Sequence, residues 1–463
     1  MMMTYEQIIA RKSACPDAVG IEVQPGKLLH ALFPHQRDLV RWALRRGRAA
    51  VFADTGLGKS LMELEWARHV SMIGRVLIAT PLAVAEQLAA EGDRFGIRAP
   101  YRRNDEGDPI TVTNIDMLHS FDPGAFTGFA LDESSILKAY DGSTRVYITE
   151  QWGRVPYRSA WTATPAPNDF TELGTHAAFL GVKSREEMLA EYFVHDGGST
   201  QDWRLKGHAV SAFWRWVATW GAVVRRPSDL GHPDDGYNLP PLRMHDHVVP
   251  LDDGDVRASG RLFADEATTL ADQRAVRRAT ITKRVAMAAH LCGGDDQALV
   301  WCELNDEGDA LESAIPGAVQ VRGSDSPDDK AERLLGFAAG KHRVLVTKPG
   351  IAGFGLNFQR CSRMVFVGAS HSYEQRYQAI RRCWRFGQTR PVDVHVIRTE
   401  ADGAIVANMR RKEADAERLA SEMTVHVGDA VRAEVSGTTR EWNLYAPQMM
   451  MHVPEWIGKE AAE

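Results

Sequence analysis

Short apolar runs alternate with segments in which apolar residues recur every three or four positions along most of this chain. The first pattern is typical of buried strands and the second of helices with one buried face. Strands that alternate with helices predict parallel sheets, whose functional residues gather at the carboxyl ends of the strands. The predicted strands cover residues 49–52, 75–80, 109–114, 128–131, 298–302, 319–323, 343–347, 363–367 and 392–397.

These strands fall into two groups, separated by a stretch rich in Gly, Pro and Asp from Gly231 to Pro241. Such a composition is typical of a linker between domains, and 463 residues suffice for about two or three domains. We therefore expect two α/β lobes, the first with a helical protrusion and the second opening with a helical segment. The predicted boundaries are an N-terminal lead-in at 1–30, a first lobe at 31–235 (protrusion about 184–230), a linker at 236–245, a second lobe at 246–430 (helical segment about 252–292) and a tail at 431–463.

One aromatic stretch lies within the predicted protrusion. Phe213, Trp216, Val217 and Trp220 share one face of a helix. Exposed tryptophans can stack on bases, but a stripe at this spacing is more often part of a core. We favour the core interpretation.

A glycine-rich loop follows the first predicted strand and precedes a helical pattern at 61–69. A strand, a glycine loop, Lys-Ser and a helix in this order form a phosphate cradle, in which glycines let backbone N–H groups turn inward. The lysine reaches the β- and γ-phosphates, the serine hydroxyl can bind Mg²⁺, and the helix N-terminus attracts anions. An ordinary turn is the alternative. The residues predicted to bind nucleotide here are Thr55, Gly56, Gly58, Lys59 and Ser60.

Two carboxylates, Asp132 and Glu133, come directly after the apolar run 128–131. Burying carboxylates costs free energy unless a partner needs them, and Mg²⁺ beside a triphosphate is such a partner. Asp132 can hold the ion through water, and Glu133 can polarise the attacking water. An exposed acidic loop is the alternative.

A second basic element is the predicted helix at 374–388, where Gln378, Arg381, Arg382 and Arg385 lie within about one face. Guanidinium groups so close together repel each other unless they meet anions. An arginine that meets a γ-phosphate is worth roughly 10³ to 10⁵ in rate. A solvated basic face is the alternative.

Gln36 opens a predicted helix shortly before the glycine loop. Its amide can pair with adenine N6 and N7 in the geometry that glutamine uses on DNA bases. A solvated glutamine on a helix face is the alternative.

Overall charge and composition narrow the possible partners. The net charge is −6, whereas proteins that coat nucleic acid are usually basic, so any groove for a polyanion is local. No apolar run approaches the roughly 20 residues needed to span a bilayer, and the start lacks the pattern of a signal peptide. The cysteines, at 15, 292, 302, 361 and 383, include no C-x-x-C pair, which argues against a zinc site or a disulfide framework. We expect a cytoplasmic protein without a membrane partner.

In this order the motifs resemble those of a superfamily-two helicase or translocase, and most closely the Swi/Snf-like branch in a compact bacterial or phage-borne form. The resemblance covers about residues 32–398. The residues that carry it are Phe33-Pro34-His35-Gln36, the loop ending in Lys59, Thr80-Pro81, Asp132-Glu133, Thr162-Ala163-Thr164-Pro165 with Asn168, Leu239-Pro240-Pro241, Gly353-Phe354-Gly355-Leu356-Asn357, and Gln378 through Gln388 with its ending Arg382-x-x-Arg385-x-Gly387-Gln388.

The resemblance implies two tandem RecA-like parallel-sheet lobes, with ATP and Mg²⁺ in the cleft and duplex DNA lying across both. It implies catalytic roles for Lys59, Asp132 and Glu133, with Arg382 and Arg385 as arginine fingers from the second lobe. ATP contacts are also expected from Gln36, Gly355, Asn357 and Gln378. The nucleic-acid backbone would be lined by Thr80, Thr113, Asn114, Thr347 and Gly350.

One position departs from the family pattern. Members usually carry His at the fourth position of the Asp-Glu motif, where this chain has Ser135. That difference puts in doubt the coupling of hydrolysis to the Thr-Ala-Thr loop rather than hydrolysis itself. The function expected is DNA-stimulated ATP hydrolysis that drives movement along duplex DNA. An RNA helicase of the same superfamily and a nucleotide-switched nucleic-acid clamp without processive motion are the alternatives.

Overall fold

Two six-stranded sheets, joined by a proline-rich linker, organise the chain. The computed structural model describes residues 20–138, 142–195, 203–259, 270–352, 357–370 and 372–435. Every strand pair in the two large sheets is parallel. These are tandem RecA-like lobes, as the sequence predicts.

The first lobe has the strand order β3-β2-β4-β5-β1-β8. Its strands β2 and β4 bury every residue, because helices cover both faces of the sheet. The elements of this lobe are α1 (Pro34–Arg46), β1 (Arg48–Ala53), α2 (Lys59–Val70), β2 (Val76–Thr80), α3 (Leu82–Arg94), β3 (Ile110–Asn114), β4 (Gly128–Asp132), α4 (Ser143–Gln151), β5 (Tyr157–Thr162), α5 (Leu173–Leu180), α6 (Arg185–Tyr192), β6 (Phe193–His195), β7 (Trp203–Leu205), α7 (Val210–Ala218) and β8 (Gly221–Val224).

The second lobe has the strand order β11-β12-β10-β13-β14-β9. Its elements are β9 (Leu242–Val249), α8 (Asp253–Ala258), α9 (Leu270–Ala279), α10 (Ile281–Leu291), β10 (Ala298–Trp301), α11 (Asn305–Ala314), β11 (Ala318–Gln320), α12 (Pro327–Ala338), β12 (Val344–Thr347), α13 (Pro349–Ala352), β13 (Arg363–Val367), α14 (Tyr373–Ile380), β14 (Val392–Thr399) and α15 (Gly403–Val435). Single 3-10 turns lie at Pro25–Lys27, Ile115–Ser120, Pro123–Ala125, Ser134–Lys138, Trp152–Arg154, Phe170–Glu172, Gly207–Ala209, Pro227–Leu230 and Glu400–Asp402.

The segment predicted as a helical protrusion differs from that prediction. It contains the two-stranded antiparallel pair β6–β7, and its last strand, β8, pairs with β1 at the edge of the first sheet. Phe213 and Trp220 are fully buried in the core of the first lobe, with Trp216 and Val217 beside them. The core interpretation of this aromatic stripe is therefore confirmed, and the segment belongs to the body of the lobe.

The edge strand β9 was not predicted, and it begins inside the predicted linker. Met244, Asp246 and Val248 are exposed and His245 and His247 are half-buried, so polar residues interrupt the apolar pattern of this strand. Its register with β14 pairs His245 with His395. The linker itself packs against the second lobe, since Trp384 Nε1 donates to Pro240 O at 2.7 Å.

The last helix, α15, leaves the second lobe and ends against the first. Helix α15 continues to Val435 and so crosses the predicted boundary of the tail at 431. Met423 and Val427 are buried in the core of the first lobe. Near its end, Glu434 accepts hydrogen bonds from Trp42 Nε1 at 3.0 Å and from Arg46 Nη2 at 2.6 Å. The helix therefore joins the two lobes.

In the part of the chain that the structure describes, no helix combines the length and the apolar surface required to cross a membrane.

Replacing Met423, which is 3% exposed, by Ala should destabilise the first lobe by about 2 to 5 kcal/mol through the lost contacts and the cavity left behind. The matched control is Val425→Ala two residues away, where the side chain is 65% exposed and the expected change lies within about 0.5 kcal/mol. Chemical denaturation followed by tryptophan fluorescence measures both. Equal midpoints for the two variants would show that α15 is not docked on this lobe.

Candidate nucleotide-binding site

The glycine loop joins the end of β1 to the start of α2, as the strand and helix patterns predict. Gly56 and Gly58 have φ of +92° and +79°, a region that favours glycine. A Cβ at Gly58 would lie 2.3 Å from Gln36 Nε2. The loop therefore packs against Gln36 of α1 too closely for position 58 to carry a side chain. Helix α2 begins at Lys59, which directs its N-terminal N–H groups toward the loop.

Lys59 is held inside this loop. Its Nζ donates to Ala53 O at 2.8 Å and lies 3.4 Å from Asp54 O. Burial lowers the pKa of Lys59, and the carboxylates of Glu133, Asp54 and Asp132 oppose that change. The ammonium group is thus the positive centre of an acidic cluster.

Gln36 is 4% exposed, and its amide is fixed by backbone groups. Its Nε2 donates to Leu57 O at 2.8 Å, and its Oε1 accepts from Phe33 N at 2.9 Å. Each end of the amide keeps one unused hydrogen-bonding position, so both could still meet a base edge. The predicted contact with adenine stays a prediction.

Asp132 ends β4, and Glu133 begins the turn that follows. Asp132 accepts hydrogen bonds from Thr80 Oγ1 and from Glu133 N, both at 2.9 Å. Glu133 has φ of +46°, the one positive value among the non-glycine residues that the structure describes. Such strain is common at functional sites. Burial, with Asp132 beside it, raises the pKa of Glu133 to about 7, while Lys59 and Arg382 oppose the rise.

Ser135 is buried where family members usually carry His. The adjacent Ser134 Oγ lies 3.2 Å from Nε2 of His176, a buried residue of α5 whose ring packs edge-on against Phe52. Burial lowers the pKa of His176 to about 4, so this histidine is neutral at physiological pH. A histidine therefore meets the Asp-Glu turn, although it comes from another part of the chain.

The Thr-Ala-Thr loop and the Asp-Glu turn both touch the second lobe. Thr164 Oγ1 lies 3.3 Å from Glu374 Oε1, and Lys138 forms an ion pair with the same carboxylate. Glu374 opens α14, which carries Gln378 and leads directly into the arginines. The second lobe therefore contacts both motifs of the first.

Arg382 and Arg385 lie on the side of the second lobe that faces the first. Arg382 is 4% exposed; burial lowers its pKa, and the charges of Glu133 and Asp132 oppose this change. Arg385 donates to Asn357 Oδ1, and burial together with Arg382 and Arg381 lowers its pKa to about 9. A Cβ at Gly56 would lie 3.2 Å from Phe386 N. The loop and the arginine segment are therefore in contact across the cleft.

Gln378 and the glycine loop of the second lobe complete the predicted ATP contacts. Gln378 is 1% exposed, and among the described residues neither end of its amide has a hydrogen-bond partner. Asn357 is exposed beside Arg385, whereas the predicted residue Gly355 lies outside the described residues.

The residues predicted to line nucleic acid are mostly buried. Thr80 donates to Asp132, Thr113 Oγ1 donates to Arg102 O at 2.8 Å, and Thr347 Oγ1 donates to Val321 O at 3.2 Å. Asn114 is 3% exposed and accepts from Tyr101. These four side chains satisfy hydrogen bonds at strand ends and do not face an open groove. Gly350, the fifth, is exposed.

Two charged residues near the site are not among the predicted site residues, although Arg381 belongs to the predicted basic face. Arg381 binds Asp54 and Thr55 across the cleft. Glu63 is fully buried one helical turn after Lys59, and neither carboxylate oxygen has a hydrogen-bond partner within the described ranges. The only sequence signal for Glu63 was a Glu among apolar residues of α2, a signal that it shares with Glu65. Burial, then Asp132 and Glu133, raise its pKa well above the usual value.

Glu63→Gln should stabilise the protein at neutral pH. A raised pKa in the folded state means that ionisation of the unfolded chain above about pH 4.5 favours unfolding. Gln does not ionise, so the unfolding free energy of the Glu63→Gln variant should exceed that of the native protein by an amount that grows from about pH 5 to about pH 8. Denaturant melts at both pH values measure it.

The matched control is Glu65→Gln on the same helix. That carboxylate accepts from Leu29 N at 2.9 Å and from Arg68 Nε at 2.7 Å, so its replacement should destabilise the protein at both pH values. A Glu63→Gln variant less stable than the native chain at pH 8 would contradict the assignment of a neutral Glu63.

The comparisons with known proteins bear on the second lobe. Residues 283–387 match the model of the helicase conserved C-terminal domain, from α10 through the arginine segment. A structure of the Sulfolobus solfataricus SWI2/SNF2 ATPase core in complex with dsDNA aligns with 86% of this chain and 98% of its own, at 15% identity and a TM-score of 0.42. No curated protein matches the chain. The arginine segment of the second lobe thus lies within a match to the helicase conserved C-terminal domain, and the motifs of the whole chain resemble those of superfamily-two helicases of the Swi/Snf-like branch.

Proposed function

We propose that this protein is a DNA-stimulated ATPase that moves along duplex DNA by closing and opening its two lobes. One observation carries the proposal: the phosphate loop of the first lobe and the arginine segment of the second lie in contact across a shared cleft. A catalytic centre divided in this way responds to the relative position of the lobes. Anything that shifts the lobes therefore changes the rate of hydrolysis.

The residues of the cleft fit ATP with Mg²⁺. Positive φ values at Gly56 and Gly58, the N-terminus of α2 and the Lys59 ammonium form a donor set for phosphates. Among the described residues, no group of three or more His, Cys, Asp or Glu side chains could hold a metal ion. That is compatible with Mg²⁺, which is usually held by one or two protein ligands and by phosphate oxygens. Ser60 and Asp132 are the residues proposed to hold it.

The bound nucleotide and ion would supply the electrophilic phosphorus and neutralise charge on the phosphates. Glu133 would orient the attacking water and accept its hydrogen bond. Lys59 would hold the β- and γ-phosphates from the first lobe. Arg382 and Arg385 would approach them from the second lobe and stabilise negative charge that develops as the bond to the leaving phosphate breaks.

Burial of the arginines supports this assignment. The lowered pKa of Arg385 reflects its burial and, after that, repulsion from the positive charges of Arg382 and Arg381. A phosphate entering the cleft would relieve that repulsion. The second lobe would then close more firmly on ATP than on ADP, because the γ-phosphate is the group that the arginines would meet.

Duplex DNA is proposed as the track because the motifs Leu239-Pro240-Pro241 and Arg382-x-x-Arg385-x-Gly387-Gln388 resemble those of Swi/Snf-like translocases. The net charge of −6 makes a broad basic surface improbable as the basis of binding. Contacts limited to phosphates would be weakly dependent on sequence and sensitive to salt.

ATP turnover should rise several-fold with duplex DNA and rise less with single-stranded DNA or RNA. The stimulation should be lost as salt increases from roughly 50 to 200 mM, because phosphate contacts that release counterions weaken over that range. A coupled ATPase assay on the full chain measures this. Equal rates with and without DNA would remove the motor function. Stronger stimulation by RNA would favour the RNA helicase, and tight ATP-dependent binding with very slow turnover would favour the clamp.

Glu133→Gln should bind ATP about as tightly as the native protein and lose turnover by roughly 10²- to 10⁴-fold, because the amide cannot accept the proton of the attacking water. Nucleotide titration and the ATPase assay measure the two effects separately. Glu150→Gln, at an exposed position of α4, is the matched control and should leave both unchanged. Unimpaired turnover in Glu133→Gln would show that another group polarises the water.

A further inference from the structure

Arg381 reaches across the cleft to the start of the phosphate loop. Its Nη2 lies 2.8 Å from Asp54 Oδ2 and also donates to Thr55 O at 2.8 Å. Its Nε donates to Thr55 Oγ1. The Arg381 side chain is 7% exposed and that of Asp54 is 21% exposed. The second lobe therefore contacts the loop at its first residues, next to the Ala53 and Asp54 carbonyls that face Lys59 Nζ.

Tyr377 makes the same connection from the preceding turn of α14. Its hydroxyl donates to Asp54 Oδ1, which also accepts from Thr55 N at 2.6 Å. The Arg381 guanidinium lies 5.0 Å from the centre of the Trp384 ring, where cation–π attraction favours its orientation. Both oxygens of Asp54 are thus bonded to the second lobe, and the guanidinium is held by an aromatic neighbour.

The connection between the lobes depends on the opposite charges of Arg381 and Asp54. Burial alone would lower the pKa of Arg381, and Tyr377 and Asp54 more than offset it, so the guanidinium stays charged. A buried ion pair contributes little net stability, but removing one member leaves an uncompensated buried charge that is costly. Loss of the Arg381 charge would therefore leave the Asp54 carboxylate without its counter-charge in the closed cleft, and loss of the Asp54 charge would do the same to the guanidinium.

Arg381 differs in its surroundings from its two neighbours. Arg382 is influenced by Glu133 and Asp132, and Arg385 binds Asn357. Those two have positions suited to phosphates. Arg381 is already committed to the protein, through a carboxylate, a carbonyl and a hydroxyl of the loop.

We propose that Arg381 and Asp54, with Tyr377, form an interlobe clasp that sets the register of the closed lobes and holds the phosphate loop in position. Arg381 is thus a positioning residue, whose effect on hydrolysis is exerted through the loop. The catalytic consequence rests on the proposed ATPase function, whereas the effect on closure does not.

The experiment is a charge exchange on the full chain. Arg381→Asp and Asp54→Arg each place like charges opposite one another, and the double variant restores an opposite pair. Each single change should enlarge the radius of gyration measured by small-angle X-ray scattering, and raise the KM for ATP at least tenfold with a smaller effect on kcat. The double variant should recover compactness and at least tenfold of the lost kcat/KM. Arg381→Lys should retain part of both.

The matched control is the exposed pair Arg390–Asp296 within the second lobe, 3.3 Å apart. Its reversal by Arg390→Asp should leave scattering and kinetics unchanged, since exposed pairs contribute little. Where a reversal variant loses its thermal transition, Arg381→Gln and Asp54→Asn replace it, alone and combined.

Two results would overturn the clasp: single variants as compact as the native protein, or a double variant in which the two losses simply add. If the protein shows no ATP hydrolysis, the proposed function fails, and the scattering of the four proteins still decides whether the clasp exists. If ATP hydrolysis occurs without stimulation by DNA, the proposed movement along DNA is rejected. The KM values for ATP of the native protein, the two single variants and the double variant still test the clasp.

Discussion

Charge in the cleft between the lobes can be buried only if each sign meets its opposite. The first lobe brings Asp54, Asp132 and Glu133 to this surface, and the second brings Arg381, Arg382 and Arg385. Apart, the lobes would leave these groups to water; together, they must be matched or neutralised. Asp54 and Arg381 pair with each other, and Tyr377 and Thr55 add further hydrogen bonds to them. Burial is the main reason that the pKa of Glu133 is raised and that of Arg385 is lowered, and the charges around these two groups do not offset it. That imbalance is where an anionic ligand with its cation would be most strongly favoured.

The two parallel sheets explain why these groups meet. In the first lobe the polar residues follow the carboxyl ends of buried strands, whereas the arginines of the second lobe follow helix α14. Lys59 is placed by β1 and α2, Asp132 by β4, and the arginines by the segment between α14 and β14. Because the interiors of the sheets are apolar and closely packed, small displacements of one lobe shift its whole set of charges. The contacts of Glu374 with Thr164 and Lys138 add a mechanical connection beside the electrostatic one.

The sequence was sufficient for the central strands, the glycine loop and the order of the lobes, because each depends on a local pattern. Strand β9 escaped prediction because an edge strand lacks a continuous apolar run, and β8 because it is short and adjoins a helix. The side chains of Thr80, Thr113 and Thr347 are buried. The sequence could not predict this, because a hydroxyl at a strand end gives the same pattern whether it faces a ligand or the protein. Arg381 could not be told from Arg382 and Arg385 because its partner, Asp54, is more than 300 residues away and in the other lobe. Glu63 stood out only as a Glu among apolar residues.

The course of α15 restricts how this molecule can move. Its first turns bury Ile405 and Met409, and its last turns are embedded in the opposite lobe through Met423 and Val427. The chain thus passes between the two bodies twice, once at residues 231–241 and once along this helix. Two rigid bodies fastened at two separate places keep a single easy rotation, about the line that joins the fastenings. Any work extracted from hydrolysis would then emerge as a swing about that line, so its direction is fixed by covalent connectivity before a nucleotide or a polymer is bound.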